Sequence, residues 1–384
     1  MISHSIAEIV FWVSVGMLLY VYVGYPALLA LVAPFCRQPN KQPGYLPRVS
    51  VLIAAYNEEA HIGQKLAETL ALEYPPEKIE ILVVSDGSSD QTDAIVAHCA
   101  DPRVKLLRIE DRKGKTNAQN EGVKQCTGEV IVFSDATAVY HPKAVQYLAC
   151  HYENPSVGAV SGRYQYFDPK GESPMGLGSI AFWNYENMLK KLQSRISTLT
   201  GCSGCIYSVR KSVYTTLPAA ACSDLVEPLH VVRKGYRVVF EDRALAHEET
   251  TKSSKEEFSM RVRVVSRGIG GILSVPELLQ FWRHGWISFQ LISHKVLRWL
   301  VPFALILLLF SNALLLREPA FRVFFLLQVL FYLFGLMSTL VPLHRRWKPL
   351  GIPLYFCTLN AAALFGLLKM LRGQKYVIWE TVRK

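Results

Sequence analysis

Long apolar runs constrain this 384-residue chain more than any other feature of its sequence. No side chain from Ile9 to Phe35 is charged, and a transmembrane helix needs about 20 such residues. Three further apolar runs follow late in the chain, at Trp299–Leu316, Val323–Leu343 and Leu350–Leu368. Buried core helices are the alternative reading, but four runs favour a membrane protein with one N-terminal and about three C-terminal transmembrane helices.

The first run is too long for a secretory signal peptide, whose apolar core has about 7–15 residues after a basic start. Here the run follows His4 and Glu8, with no Lys or Arg before it. We therefore predict an uncleaved helix, with the domain that follows it in the cytoplasm of a multi-pass cell-membrane protein. Three C-terminal spans would place a basic tail outside, against the usual excess of Lys and Arg inside, so the side of the C-terminus stays open.

The formal charge of +11 is compatible with nucleic acid, a membrane surface or a phosphate-rich ligand. Between Thr251 and Leu300, eight Lys or Arg stand against three Asp or Glu, next to the second apolar run. This placement favours membrane lipids and a diphosphate ligand, and no nucleic-acid motif accompanies it. Only Cys202 and Cys205 have a CxxC spacing, which lacks the second pair of a zinc site.

Strand-like and helix-like segments alternate between the apolar ends. Apolar runs bounded by polar loops predict strands at Val49–Ala54, Ile79–Val84, Val104–Arg108 and Glu129–Phe133. Helical spacing of apolar residues predicts helices at Glu59–Leu72, Gln91–Cys99, Thr116–Gln125 and Pro142–Tyr152. Asn57 is placed to cap the first of these helices. The alternation predicts an α/β fold with a mainly parallel sheet.

Three polar loops follow the first, second and fourth predicted strands: Tyr56-Asn57-Glu58, Ser85-Asp86-Gly87-Ser88-Ser89-Asp90 and Ser134-Asp135-Ala136-Thr137. Ligands of parallel sheets bind beyond the carboxyl ends of the strands. We therefore expect these loops to meet at one rim, with Asp86 and Asp135 ending neighbouring strands.

The predicted organisation has six segments. They are an N-terminal transmembrane helix (1–36), a linker (37–48), the α/β domain (49–271), an interfacial amphipathic segment (272–298), C-terminal transmembrane helices (299–371) and a basic tail (372–384). The interfacial assignment rests on an aromatic, apolar stretch that Arg283, His284 and Gly285 interrupt.

Five motifs occur in order along the domain. They are Val51-Leu52-Ile53-Ala54-Ala55-Tyr56-Asn57-Glu58-Glu59, Val83-Val84-Ser85-Asp86-Gly87-Ser88, Lys113-Gly114-Lys115-Thr116-Asn117, Phe133-Ser134-Asp135-Ala136-Thr137 and Ser223-Asp224-Leu225-Val226-Glu227. From Val49 to about Gly270 the chain resembles family 2 glycosyltransferases, in the membrane-bound branch that builds cell-surface polysaccharides. The resemblance implies the GT-A fold, a Rossmann-like sheet that binds a nucleotide-sugar, with UDP the expected nucleotide.

On the donor side, the resemblance implies that Asp86 binds the nucleoside, together with Tyr56 and Glu58. A carboxylate suits this role because base and ribose offer N–H and O–H donors. An Asx-turn is the alternative for Asp86. Lys115 is expected near the donor phosphates, although a solvated lysine at a helix start fits the sequence nearly as well.

The resemblance further implies that Asp135 binds a divalent cation, Mg²⁺ or Mn²⁺, which stabilises the departing diphosphate. The family's usual motif is Asp-x-Asp, and Thr137 replaces the second carboxylate here. Arg263 and Arg267 are expected to hold the diphosphate, since an arginine fork fits it. Polymerising relatives carry Gln-x-x-Arg-Trp in this region, and the missing Gln and Trp leave processive and single transfer both open.

Asp224 is the expected general base of an inverting transfer, because the family places an acidic pair before a helix at this point. A helix cap is the alternative. We thus predict transfer of a sugar from a nucleotide-sugar donor to a saccharide or lipid-linked acceptor. Three rivals remain: transfer to polyprenyl phosphate, an inactive nucleotide-sugar-binding component of an export system, and a transporter.

Overall fold

The computed structural model describes residues 2–36, 41–42, 44–167, 176–250, 253–340 and 351–374. Residues 37–40 of the predicted linker, the end of the third apolar run and the basic tail from residue 375 lie outside these ranges.

A mixed sheet forms the centre of the molecule. Among the described residues it has eight strands: β1 Val49–Ala55, β2 Ile79–Asp86, β3 Val104–Ile109, β4 Val130–Asp135, β5 Val139–Tyr140, β6 Val157–Phe167, β7 Ile206–Arg210 and β8 Arg237–Glu249. Their order is β3-β2-β1-β4-β7-β6-β8-β5. The first four strands in that order pair in parallel, as do β6 and β8, which confirms the mainly parallel α/β fold.

Helices cover both faces of the sheet. Those of the domain are α3 Ile62–Leu70, α4 Thr92–Ala97, α5 Lys115–Gln125, α6 Ala144–Ala149, α7 Gly176–Ile196, α8 Ser223–Arg233 and α9 Ser254–Leu273. All seven residues of β1 are buried, because alternate side chains enter two different cores. Ile53 packs in the core that includes Ile62 of α3, and Leu52 in the core that includes Ala118 of α5.

Four helices are long and apolar enough to cross a membrane, at His4–Phe35, Trp286–Leu314, Pro319–Thr339 and Gly351–Leu371. The first span contains α1 Ile2–Leu19 and α2 Tyr25–Val32, and the second contains α11 Trp286–Leu291 and α12 Leu297–Leu314. The third is α13 Pro319–Leu340 and the fourth is α14 Gly351–Leu371. The short helix α10 Phe281–His284 precedes the second span. These candidate spans indicate membrane association. The second begins at Trp286, so its helix extends into the segment that the sequence predicts to be interfacial.

The domain packs directly on the candidate spans. Helix α9 runs along α14, and α7 also contacts α14. Gly178 of α7 permits this approach, because a Cβ atom there would lie 2.4 Å from the Cβ atom of Tyr355. The domain and the candidate spans therefore share one boundary.

Candidate active site

Asp86 and Asp135 lie at the same edge of the sheet but on opposite sides of β1. In the parallel register Ala55 lies opposite Ser85 of β2, and Ala54 lies opposite Asp135 of β4. The expectation that the two aspartates end neighbouring strands is therefore wrong. Two strand spacings separate them by roughly 10 Å, so the rim is wide enough for separate sites at its two ends.

Asp86 holds the loop that leads into α5. Its Oδ1 atom accepts a hydrogen bond from the Lys113 backbone N–H at 2.9 Å, and its Oδ2 atom accepts one from Gly114 at 2.7 Å. Gly114 has φ +95°, a left-handed backbone that glycine adopts without strain. Each carboxylate oxygen can accept a second hydrogen bond, so the predicted nucleoside contact remains compatible with this geometry.

The first loop contributes a flat surface and an internal brace. The Arg112 guanidinium stacks on the Tyr56 ring, with its carbon 3.7 Å from the ring centroid. Glu58 is buried and its Oε2 atom lies 3.1 Å from Nδ1 of His61. Tyr56 is thus presented at the rim, whereas Glu58 braces the loop that carries it.

Lys115 forms an ion pair with Asp135, the predicted metal ligand. Its Nζ atom also lies 3.5 Å from the carbonyl oxygen of Gly204. Burial opposes the charged ammonium, but attraction by Asp135, then Asp224 and Glu248, outweighs it and raises the pKa of Lys115. Lys115 is therefore no solvated surface lysine, and the environment of Asp135 accommodates a positive charge.

Thr137 stands where the Asp-x-Asp motif has its second carboxylate, and the carboxylate of Glu248 contacts it. Thr137 donates its hydroxyl hydrogen bond to Oε1 of Glu248 at 2.7 Å, and the Tyr164 hydroxyl donates to Oε2. Glu248 is buried on β8. Sequence reasoning missed it because 111 residues separate it from Thr137. Its partnership with the altered motif emerges only in the fold.

Lys65 fixes the loop that follows Asp135. Its Nζ atom donates to the Ala138 carbonyl at 2.5 Å and lies 4.0 Å from the centroid of the Tyr140 ring. Burial lowers the pKa of Lys65 to about 8. Sequence reasoning missed this residue too, because a lysine in an amphipathic helix is ordinarily solvated.

Asp224 lies in the first turn of α8, and the cap of that helix is Cys222 rather than Asp224. The Cys222 thiol donates to Oδ1 of Asp224 at 2.9 Å. A Cβ atom at Gly204 would lie 2.8 Å from the other carboxylate oxygen, so a side chain there would displace the Asp224 carboxylate. Since Gly204 also contacts Lys115, Asp224 and the Asp135–Lys115 pair both lie next to Gly204.

The two predicted diphosphate arginines lie on α9. Arg267 donates from Nε to the Ala220 carbonyl at 3.0 Å and from Nη2 to the Thr116 hydroxyl at 3.1 Å. It therefore ties the loop before α8 to the start of α5, next to Lys115. Arg263 is half-buried on the same helix. Binding of diphosphate by either arginine stays a prediction.

The domain with this rim matches a known family model. Residues 50–217 match glycosyl transferase family 2. These residues form a family 2 glycosyltransferase domain. The sequence resemblance to that family is thereby confirmed.

Relatives of the family 2 domain point the same way. The chain is 30% identical over 229 residues to poly-beta-1,6-N-acetyl-D-glucosamine synthase of Staphylococcus epidermidis, covering 57% of this chain and 54% of the relative. It is 29% identical, with the same coverage, to the probable glycosyltransferase YdaM of Bacillus subtilis. The chain thus spans about half the length of the curated relatives it matches.

A solved structure shares the fold of the family 2 domain and its helices. It is the mannosyltransferase PcManGT from Pyrobaculum calidifontis in complex with GDP-Man and Mn²⁺. The two match with a TM-score of 0.71 and 20% identity, over 95% of this chain and all of the other. At that identity the likeness establishes the GT-A fold alone.

A cavity of about 440 Å³ lies between the family 2 domain and the candidate spans. Asp224 lines it at the domain side. Its wall includes charged residues that sequence reasoning missed, namely Glu186, Lys190, Lys295 and Arg298. These residues lie on two helices that are far apart in the sequence. No sequence motif marks them, because each resembles an ordinary polar residue of an amphipathic segment.

Cys150, His151 and Glu241 form the one group of three or more metal-ligand side chains found in the described ranges. Glu241 is already surrounded by cations, with Lys41 Nζ at 2.7 Å and Arg243 Nε at 2.8 Å. These two charges neutralise the carboxylate, and we assign no metal to this group.

Proposed function

We propose that the chain transfers a sugar from a nucleotide-sugar donor to a saccharide or lipid-linked acceptor at a membrane, in polysaccharide synthesis. UDP is the expected nucleotide, the anomeric centre is inverted, and the catalytic domain faces the cytoplasm. The observation that carries the proposal is the position of Asp224, which lines the cavity and lies next to Gly204, the residue that also contacts Lys115 of the Asp135–Lys115 pair.

In this mechanism the acceptor hydroxyl enters from the cavity and Asp224 accepts its proton. The acceptor oxygen forms a bond to the anomeric carbon as the bond from that carbon to the diphosphate oxygen breaks. The bonding pair leaves with the nucleoside diphosphate, so the product carries one new glycosidic bond. Asp224 suits the base role because it is held in place by Cys222 and has no ion-pair partner within 4.0 Å in the described part of the chain.

The donor side supplies the charge that the leaving group needs. Asp135 and Glu248 offer the hard oxygen atoms that Mg²⁺ and Mn²⁺ prefer, and such ions commonly take one or two carboxylates plus substrate phosphates. The cation, when bound, stabilises the negative charge that develops on the diphosphate. With a cation on Asp135, Lys115 would contact a donor phosphate instead and would keep its positive charge in the site.

The proposed function is tested by a donor screen on the full-length protein in detergent, with released nucleoside diphosphate as the readout. We expect release from one UDP-sugar that depends on added Mg²⁺ or Mn²⁺. Asp135→Ala should abolish the metal-dependent release, while Asp242→Ala, a half-exposed surface aspartate, serves as the control. No release from any nucleotide-sugar, with or without acceptor lipid extract, would overturn the proposal in favour of an inactive binding component.

Glu248→Gln tests the second carboxylate without a turnover assay. The substitution keeps the size of the side chain but removes the negative charge near the cation. We expect Mn²⁺ affinity, measured by electron paramagnetic resonance with UDP present, to fall at least about ten-fold. Glu249→Gln, one residue along β8 and exposed, is the matched control. Equal Mn²⁺ affinity in Glu248→Gln and wild type would remove Glu248 from the cation site.

A further inference from the structure

The cavity is walled on one side by membrane helices. Three of the four candidate spans contribute to it, through residues such as Tyr22, Trp299 and Phe356, and the domain contributes through α7, α8 and α9. A water-soluble acceptor would not need candidate spans in the wall of the cavity through which it reaches Asp224. A cavity of this construction fits a ligand whose one end stays in the lipid.

The cavity also carries a surplus of positive charge. Its cationic lining residues are Lys190, Arg261, Lys295 and Arg298. Arg261 pairs with Glu257 at 2.7 Å, and Arg298 pairs with Glu186. Neither lysine has a carboxylate within 4.0 Å among the residues the structure describes. Asp224 is the remaining carboxylate of the lining, so two ammonium groups face one carboxylate and the cavity keeps a positive surplus for a ligand to neutralise.

Both lysines lie where an unneutralised charge is costly. Lys190 is 4% exposed, and its Nζ atom donates to the neutral Ser203 hydroxyl at 2.7 Å. Lys295 lies within a candidate span, where an ionisable side chain ordinarily marks a ligand pathway or binding site. A buried cation is stabilised chiefly by an anion with good hydrogen-bond geometry. The pair is thus organised for an anionic ligand.

We infer that this cavity binds the phosphate group of a membrane lipid, with Lys190 and Lys295 as its cationic contacts, and that this lipid is the acceptor. The inference rests on the proposed function, because it names the acceptor of that reaction. The phosphate occupies the charged part of the cavity, the hydrocarbon chain extends between the candidate spans, and a hydroxyl of the saccharide that the lipid carries is the reacting group that meets Asp224. The indole of Trp183 also lines the cavity, and its N–H has no partner in the described part of the chain.

Binding is tested with three probes on the full-length protein in a neutral detergent. The probes are a radiolabelled polyprenyl phosphate, the uncharged polyprenol of the same length, and inorganic phosphate. We expect the polyprenyl phosphate to bind at least about ten-fold more tightly than either of the others, because only it offers both the lipid and the anion.

Two variants connect this preference to the lysines. Lys190→Met and Lys295→Met each keep an unbranched side chain of similar length without charge, and each should lower polyprenyl phosphate affinity at least about ten-fold. Lys191→Met is the matched control, since Lys191 is adjacent in sequence but 62% exposed and paired with Asp242. UDP affinity should be equal in all three variants, which also verifies that they are folded.

Several outcomes would overturn the inference. Equal affinity for polyprenol and polyprenyl phosphate would mean a neutral acceptor, and equal affinity for inorganic phosphate would mean that the lipid plays no part. A loss of UDP affinity in Lys295→Met as large as the loss of lipid affinity would assign the lysines to the donor. Lipid-phosphate binding without any nucleotide binding would keep this site and overturn the proposed function instead.

Discussion

The rim of the sheet and the cavity differ in how their charged side chains are paired. At the rim, the acidic groups already have partners: Asp86 accepts two backbone hydrogen bonds, Asp135 pairs with Lys115, and Glu248 accepts two hydroxyls. In the cavity, two lysines have no carboxylate partner in the described part of the chain. The paired carboxylates hold the geometry of the rim until a ligand replaces their partners. The two lysines without a carboxylate partner favour a ligand that is negatively charged.

The difference also separates two kinds of substrate. In the proposed reaction the donor carries negative charges and binds with a cation, so Asp135 would exchange Lys115 for that cation as the donor binds. An acceptor that enters from the membrane must be recognised in a region with little water, where a single ion pair contributes more than at a surface. We therefore expect substitutions at the rim and in the cavity to affect different constants.

Asp224 lies where the two regions meet, and its loss should have the largest effect. Asp224→Asn keeps the size of the side chain but cannot accept the acceptor's proton. We expect transfer to slow at least about 100-fold, with donor affinity unchanged. The measurement is single-turnover sugar transfer beside UDP titration, with Asp242→Asn as the control. Near-normal transfer would mean that the lipid phosphate itself attacks the donor, since a phosphate oxygen needs no strong base.

Asp86→Ala tests the donor side alone. The variant removes the acceptor of two backbone hydrogen bonds and of the predicted nucleoside contact. A hydrogen bond to a charged group contributes about 1.5–3 kcal/mol, so UDP affinity should fall by about 10- to 150-fold. Calorimetric titration measures this, and Glu110→Ala, an exposed neighbour of the same loop, is the control. Acceptor-lipid affinity that fell equally would contradict the separation of the two regions.

Glu227 gives the smallest effect, on stability rather than on substrate binding. Burial raises its pKa to about 8, although the Thr215 N–H donates to it at 2.9 Å and opposes the shift. Its folded pKa exceeds the ordinary value, so its contribution to stability is complete below about pH 4.5 and is lost as the pH rises through about 8. The thermal unfolding midpoint in detergent should therefore fall from pH 6 to pH 9, and less steeply in Glu227→Gln. Parallel pH profiles would show that Glu227 ionises normally.

The rim was largely predictable because its residues follow parallel strands directly in sequence. The four predicted strands and the family of the domain are confirmed. The strand order was not predictable, because apolar runs carry no record of their neighbours, and this is why Asp86 and Asp135 were wrongly expected on adjacent strands. Asn57 was also misread as a helix cap. It has φ +52°, and its Oδ1 atom accepts a hydrogen bond from the Ser89 N–H.

The cavity could not be predicted, because its wall joins residues that lie far apart in the chain. Glu186 and Arg298, for example, are 112 residues apart and belong to different parts of the organisation. Each looks unremarkable in its own helix, and only tertiary packing makes them partners. The roles of the predicted site residues stay predictions until the variants are measured.

The pairing of Glu186 with the second candidate span also fixes the position of that helix relative to α7. Glu186 forms an ion pair with Arg298 and lies 3.2 Å from Nε2 of His294, so one carboxylate engages two successive turns of that helix. A slide of the helix by one turn, about 5.4 Å, would part Glu186 from both partners and leave charge buried alone. The domain is thereby held at one position along the second candidate span. A saccharide growing from an anchored lipid phosphate would reach Asp224 only at one distance from that phosphate. The enzyme would then select the length of its acceptor as well as transfer a sugar to it.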